Sequence, residues 1–124
     1  MIPDVHRFVQ DWCAAWNRHD VEAVLDHFHE DVIFTSPVAQ RVVPETIGVV
    51  QGKPALRDYW MRALEMVPDL HFTIIGVYSG VDAVVIHYRN QRGVDVCEVL
   101  VFGGELVRRG YGTYNGQVSD PAAQ

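Results

Sequence analysis

Apolar residues recur near the start of the chain at the spacing of a helix. Val5, Phe8, Val9, Trp12, Cys13 and Trp16 alternate steps of three and one, a single stripe on about three turns. Asn17-Arg18-His19-Asp20 breaks the stripe. Asp20 is placed to cap a second short helix whose inward residues are Val21, Val24, Leu25 and Phe28. Residues 31–36 turn to β-branched and aromatic types, which predicts a short strand stopped by Pro37. Residues 37–52 carry Pro37, Pro44, Gly48 and Gly52 and read as a long connection, a candidate pocket rim. Pro54 suits the first turn of a third helix with Leu56, Tyr59, Trp60, Ala63, Leu64 and Val67 on its buried face, and Pro68 ends it. From Leu70 the period drops to two. Runs at 70–78, 82–90, 94–102 and 106–114, joined by short links that mostly contain Gly, predict antiparallel hairpins.

The order is helix, helix, strand, helix, then four strands. That is an α+β pattern in which three helices cover one face of a strongly curved, mostly antiparallel sheet. Parity assigns the bulkier sets, Val84, Ile86 and Tyr88 with Val96, Leu100 and Phe102, to the helix-covered face. The outer face keeps Val85, Cys97, Val99 and Val101 beside His87 and Arg89, more apolar surface than a monomer normally leaves wet, so a homodimer through the sheet face is expected. With 124 residues the chain fits one domain, 1–118, and the polar end at 119–124 is expected to fray.

Composition narrows the function classes. At 48% hydrophobic and 21% charged residues the chain is not disordered. A net charge of −6 has the wrong sign for a nucleic-acid backbone, so no nucleic-acid partner is expected. No apolar run is long enough for a membrane span and no basic-then-apolar leader opens the chain, which reads as cytoplasmic. Cys13 and Cys97 sit as small hydrophobes among apolar neighbours. His27 and His29, two apart, have poor metal-ligand spacing, and no phosphate-cradling glycine loop or known hydrolase motif occurs. No metal and no cofactor is expected.

Glu98 stands out because it interrupts Val96, Leu100 and Phe102 on the interior face. A carboxyl there must pair or stay neutral. One reading is a salt bridge at the sheet's end, for instance with Arg109, or a slipped strand that leaves it wet. The other is an unpaired acid whose pKa rises in a dry pocket. Tyr88 and Asn90 share parity with Ile86 and could reach the mouth of such a pocket; Trp60 could be its wall or ordinary core. His71 is expected at a wet strand end.

Three strings carry a resemblance. Trp12-Cys-Ala-Ala-Trp16-Asn-Arg-His-Asp20, Phe28-His-Glu-Asp-Val-Ile-Phe-Thr-Ser-Pro37 and Gln51-Gly-Lys-Pro-Ala-Leu-Arg-Asp-Tyr-Trp60, with the closing hairpin from Val96 to Val107, resemble the SnoaL-like and ketosteroid isomerase-like branch of the nuclear transport factor 2-like superfamily. The resemblance implies a cystatin-like cone with an apolar pocket for a small apolar or planar metabolite. It also implies either cofactor-free isomerase, cyclase or dehydratase chemistry or a non-catalytic ligand-binding or dimerisation domain. Carried over, the isomerase base position falls on Ser36, a hydroxyl that cannot abstract a carbon-bound proton. The first-helix donor falls near Trp12 and the late-strand carboxyl on Glu98. Tyr111 occupies the level at which epoxide-hydrolase relatives carry a carboxylate. The candidates are therefore Glu98, Tyr88 and Trp12 for chemistry, and Ser36, Trp60, Asn90 and Tyr111 for ligand binding.

Overall fold

The structure is a computed structural model and describes residues 2–116. Helix α1 (Val5–Asn17) is capped by Asp4, whose side chain accepts from Arg7 N, and buries Phe8, Val9, Trp12, Ala15 and Trp16. Asp20 caps α2 (Val21–Leu25) through Ala23 N, as its position predicts. Strand β1 (Phe28–Thr35) begins earlier than expected and takes Phe28 away from α2. The presumed long connection is built instead: α3 (Pro37–Val42), a 3₁₀ turn (Pro44–Thr46) and β2 (Val49–Gln51). Ser36 and Pro37 supply the cap and first turn of α3, a signal obscured by reading Pro37 only as a strand stop. Helix α4 (Lys53–Met66) carries Pro54 in its first turn and buries Leu56, Tyr59 and Trp60. β3 (Thr73–Ser79), β4 (Ala83–Arg89), β5 (Asp95–Gly103) and β6 (Leu106–Tyr114) follow. The described α-helices thus number four, not three, because the six residues of α3, with Gln40 and Arg41 among them, are too few to show a period.

The six strands lie in the order β2-β1-β6-β5-β4-β3, antiparallel except where β1 runs parallel to β6. Burial alternates strictly along β4 and β5: Val84, Ile86, Tyr88, Val96, Glu98, Leu100 and Phe102 point inward, as parity predicts. Phe8 meets Phe102 edge-on and Trp12 leans on Tyr88, so α1 covers this face. His87 and Arg89 lie on the outer face and both reach Asp95, at 3.1 and 2.8 Å. His71 is exposed and both cysteines are unbridged and half-buried. No described helix is long and apolar enough to cross a membrane. The expected frayed end at 119–124 lies outside the described residues.

Asn17, the residue that ends the first apolar stripe, joins the helix to the sheet. Its Nδ2 donates to Phe72 O at 3.0 Å and its Oδ1 accepts from Phe72 N at 2.8 Å, so one amide satisfies both backbone groups of Phe72. Asn17→Ala should cost about 2 kcal/mol, the penalty for stranding two partly buried backbone groups, read as a lower urea midpoint at unchanged slope.

Candidate functional site

The register of β5 and β6 places a bare backbone beside an acid. Glu98 pairs with Gly112, and a Cβ on Gly112 would stand 3.1 Å from Ser36 Oγ. Glycine therefore lets Ser36, at the junction of β1 and α3, come down onto β6. Ser36 is held there twice: its N donates to Gly48 O at 3.0 Å, and its Oγ accepts from Val38 N at 3.1 Å.

Around this point lies a cavity of about 80 Å³ that opens toward solvent. Its walls are Trp16, Phe34, Val38, Trp60, Leu70 and Phe72, and its polar lining includes Ser36, Tyr59, Tyr88, Asn90, Glu98 and Tyr114. Trp60 meets Trp16 at 5.0 Å and Phe34 at 5.6 Å, both edge to face, and Phe72 packs 4.1 Å from Tyr88. Asn90 accepts from Arg92 N at 2.9 Å and from Val94 N at 3.1 Å, which fixes the β4–β5 turn at the cavity's edge.

Glu98 is 6% exposed, and Tyr88 donates to its Oε1 at 3.4 Å. Burial pushes its carboxyl up to about 8, with the hydrogen bond from Tyr88 pulling the other way. The phenols of Tyr59, Tyr88 and Tyr114 are also pushed up, chiefly by burial; the charge Glu98 would carry adds to this, after Tyr59 in the case of Tyr114, and contact with Ser36 offsets part of it for Tyr59 and Tyr114. At neutral pH the cavity thus presents a protonated carboxyl and neutral phenols. That set gives hydrogen bonds to an acceptor on a ligand and has one group able to pass a proton.

Five sequence candidates meet at this cavity: Glu98, Tyr88, Ser36, Trp60 and Asn90. Two do not. Trp12 is fully buried beneath it, stacked on Phe72 and tilted against Tyr88, and its indole N–H has no partner among the described residues; it supports the wall rather than lining it. Tyr111 pairs with Val99 on the outer face and is 39% exposed. The bridge from Glu98 to Arg109 does not form either, because Arg109 pairs with Val101 on that same outer face. The reason is a register shift between Val101 and Phe102, which leaves Arg108 unpaired and reverses the parity of β6 beyond it. Tyr114, rather than Tyr111, then points inward. The alternation Gly110, Gly112, Tyr114 was the available signal, but two glycines give an inward face no apolar signature. Tyr59 was legible only as helix core. Among the described residues no group of three His, Cys, Asp or Glu is arranged to hold a metal ion.

Fold and cavity together define an α+β sheet-and-helix domain built around an aromatic-walled cavity. Residues 9–113 match the SnoaL-like domain family. A SnoaL-like protein of unknown function from Burkholderia thailandensis is 38% identical, over 90% of this chain and 94% of its own, with a TM-score of 0.84. The chain belongs to the SnoaL-like family. TerC, crystallised with polyporic acid, is 14% identical over 89% of this chain and 90% of its own, with a TM-score of 0.72. A protein with a ketosteroid isomerase-like fold from Catenulispora acidiphila, in complex with trimethylamine, is 21% identical over 90% and 88%, with a TM-score of 0.70. At such identities the likeness to these two is one of fold. A search of the curated proteins gives no match.

Proposed function

We propose that the chain binds a planar, largely apolar metabolite in this cavity, and that protonated Glu98 gives it a hydrogen bond or a proton in cofactor-free isomerase, cyclase or dehydratase chemistry. The observation that carries this reading is an acid buried among aromatic walls with one phenol as its hydrogen-bond partner in the described chain. TerC with polyporic acid supports it by analogy of fold. A second reading, binding without turnover, rests on Ser36: its hydroxyl stands where the isomerase branch carries its base and accepts the Val38 N–H as a helix cap, so no carboxylate base is present there.

A thermal-shift screen of hydroxyquinones, polyketide-like aromatics, steroids and terpenoids tests the reading. A binder at a hundred times its Kd adds about 2.7 kcal/mol, several degrees for a domain of this size. Turnover of such a binder that Glu98→Gln abolishes establishes catalysis. Unchanged binding with no turnover leaves the second reading, and a screen in which no class shifts the protein overturns both. The outer face, where Val85, Cys97, Val99 and Val101 are half-buried, is assigned to a second copy of the chain; a monomer by light scattering at micromolar concentration would refute that. Two unbridged thiols fit a reducing, cytoplasmic setting.

A further inference from the structure

The cavity's charge inventory is one-sided. Among the described residues its lining holds one carboxyl, Glu98, and no Lys, Arg or His. Its walls hold the rings of Trp16, Phe34, Tyr59, Trp60, Phe72 and Tyr88. Trp60 packs edge to face against Trp16 and Phe34, and Phe72 lies 4.1 Å from Tyr88 at 34°, so the lining is a connected set of rings. Aromatic faces and a carboxylate both attract positive charge, and the chain's net charge of −6 gives the outside field the same sign. An anionic ligand would find no counter-charge among the described residues of this lining.

Resting on the reading that the cavity is a ligand site, we propose that it also takes small organic cations of the quaternary ammonium class, with Glu98 as counter-ion and the aromatic walls as the cage. The titratable groups that share the cavity with Glu98 are the phenols of Tyr88 from β4, Tyr114 from β6 and Tyr59 from α4; Ser36 and Asn90 are neutral. These phenols keep their protons, so Glu98 is the group that answers to pH. Below about 8 it holds a proton, and binding is an exchange: the cation enters, the Glu98 O–H bond breaks and the proton leaves to solvent. Neutral acceptor ligands require the opposite state. The two ligand classes therefore carry opposite pH signatures at one residue.

Choline and 3,3-dimethylbutan-1-ol have the same shape and differ in charge, and neither titrates near neutrality through its head group. Calorimetric titration of the full-length protein between pH 5.5 and 9 should show choline affinity rising about tenfold per pH unit and levelling above pH 8, while the alcohol's affinity stays flat or falls. Glu98→Gln should remove that slope and weaken choline at least tenfold at pH 8.5, with no such loss for the alcohol. Equal binding of the two probes at pH 8.5, a choline affinity that does not change with pH, or no binding of choline would each overturn the proposal. Neutral aromatic ligands that bind while choline does not would leave the pocket reading standing and remove this one alone.

Discussion

Glu98→Gln should stabilise the protein at pH 9 by several kcal/mol and leave it nearly unchanged at pH 4. In the folded chain burial pushes this carboxyl up to about 8, against 4.5 when it is exposed. Below pH 4.5 folded and unfolded chains both hold the proton, and acid and amide are near equivalents. Between the two values the unfolded chain has released a proton that the folded chain retains. Stability therefore falls as pH rises, by about 1.4 kcal/mol per unit, until the folded carboxyl also ionises. Beyond pH 8 the accumulated loss is on the order of 5 kcal/mol, a large fraction of what a domain of this size possesses. Gln removes the loss. His27, whose ring pKa is lowered chiefly by burial, works in the other direction, since its contribution is lost as pH falls; it is common to both proteins and cancels in the difference. Urea unfolding of both at pH 4, 6, 7.5 and 9 measures the gap. Parallel curves for the two proteins would mean that Glu98 is solvated and ionised in solution, and the acid chemistry proposed for it would fall.

The second large effect is expected at Gly110. This residue lies between Phe34 on β1 and Leu100 on β5, and a Cβ there would stand 2.5 Å from Phe34 Cδ2, 2.7 Å from Cε2 and 3.4 Å from Leu100 Cδ2. Phe34 must shift to admit it, and any shift disturbs its edge-on contact with Trp60, which in turn packs on Phe28 and Trp16. Gly110→Ala should destabilise by about 3 kcal/mol, at the upper end of overpacking costs, and lower Tm by roughly 10 °C. Gly110→Ala combined with Phe34→Leu should recover part of the loss, since the smaller side chain frees the space the methyl needs. A double-mutant cycle in which the two changes merely add would show that the clash does not determine the cost.

These two positions also mark the boundary of what the sequence makes legible. The face assignment of β4 and β5 follows from their alternation, because large apolar residues repeat every second position and a slip would expose all of them at once. Glu98 is conspicuous for the same reason. On β6 the inward positions are glycines that mark no face, and one unpaired arginine reverses the count, so Tyr111 is mistaken for Tyr114. Trp12 is placed correctly on the buried stripe, but helical periodicity distinguishes inside from outside and not wall from support. The stretch from Pro37 to Gln51 forms elements too short for any period to register, and its helix rests on a cap and a proline rather than on pattern.

The parallel pairing of β1 with β6 carries a consequence for synthesis. Phe34 finds its strand partner at Gly110, near the far end of the chain, while β3 to β6 pair with their immediate neighbours. As the chain leaves the ribosome, β1 and the helices beside it have only the short β2 to pair with, and Phe28, Phe34 and Trp60 have no completed sheet to cover them. Closure of the core therefore waits for β6, a pairing across a large sequence separation that adds loop-closure entropy to folding. A chain cut short before β6 would leave Phe34 without that strand partner and the aromatic cluster around it uncovered.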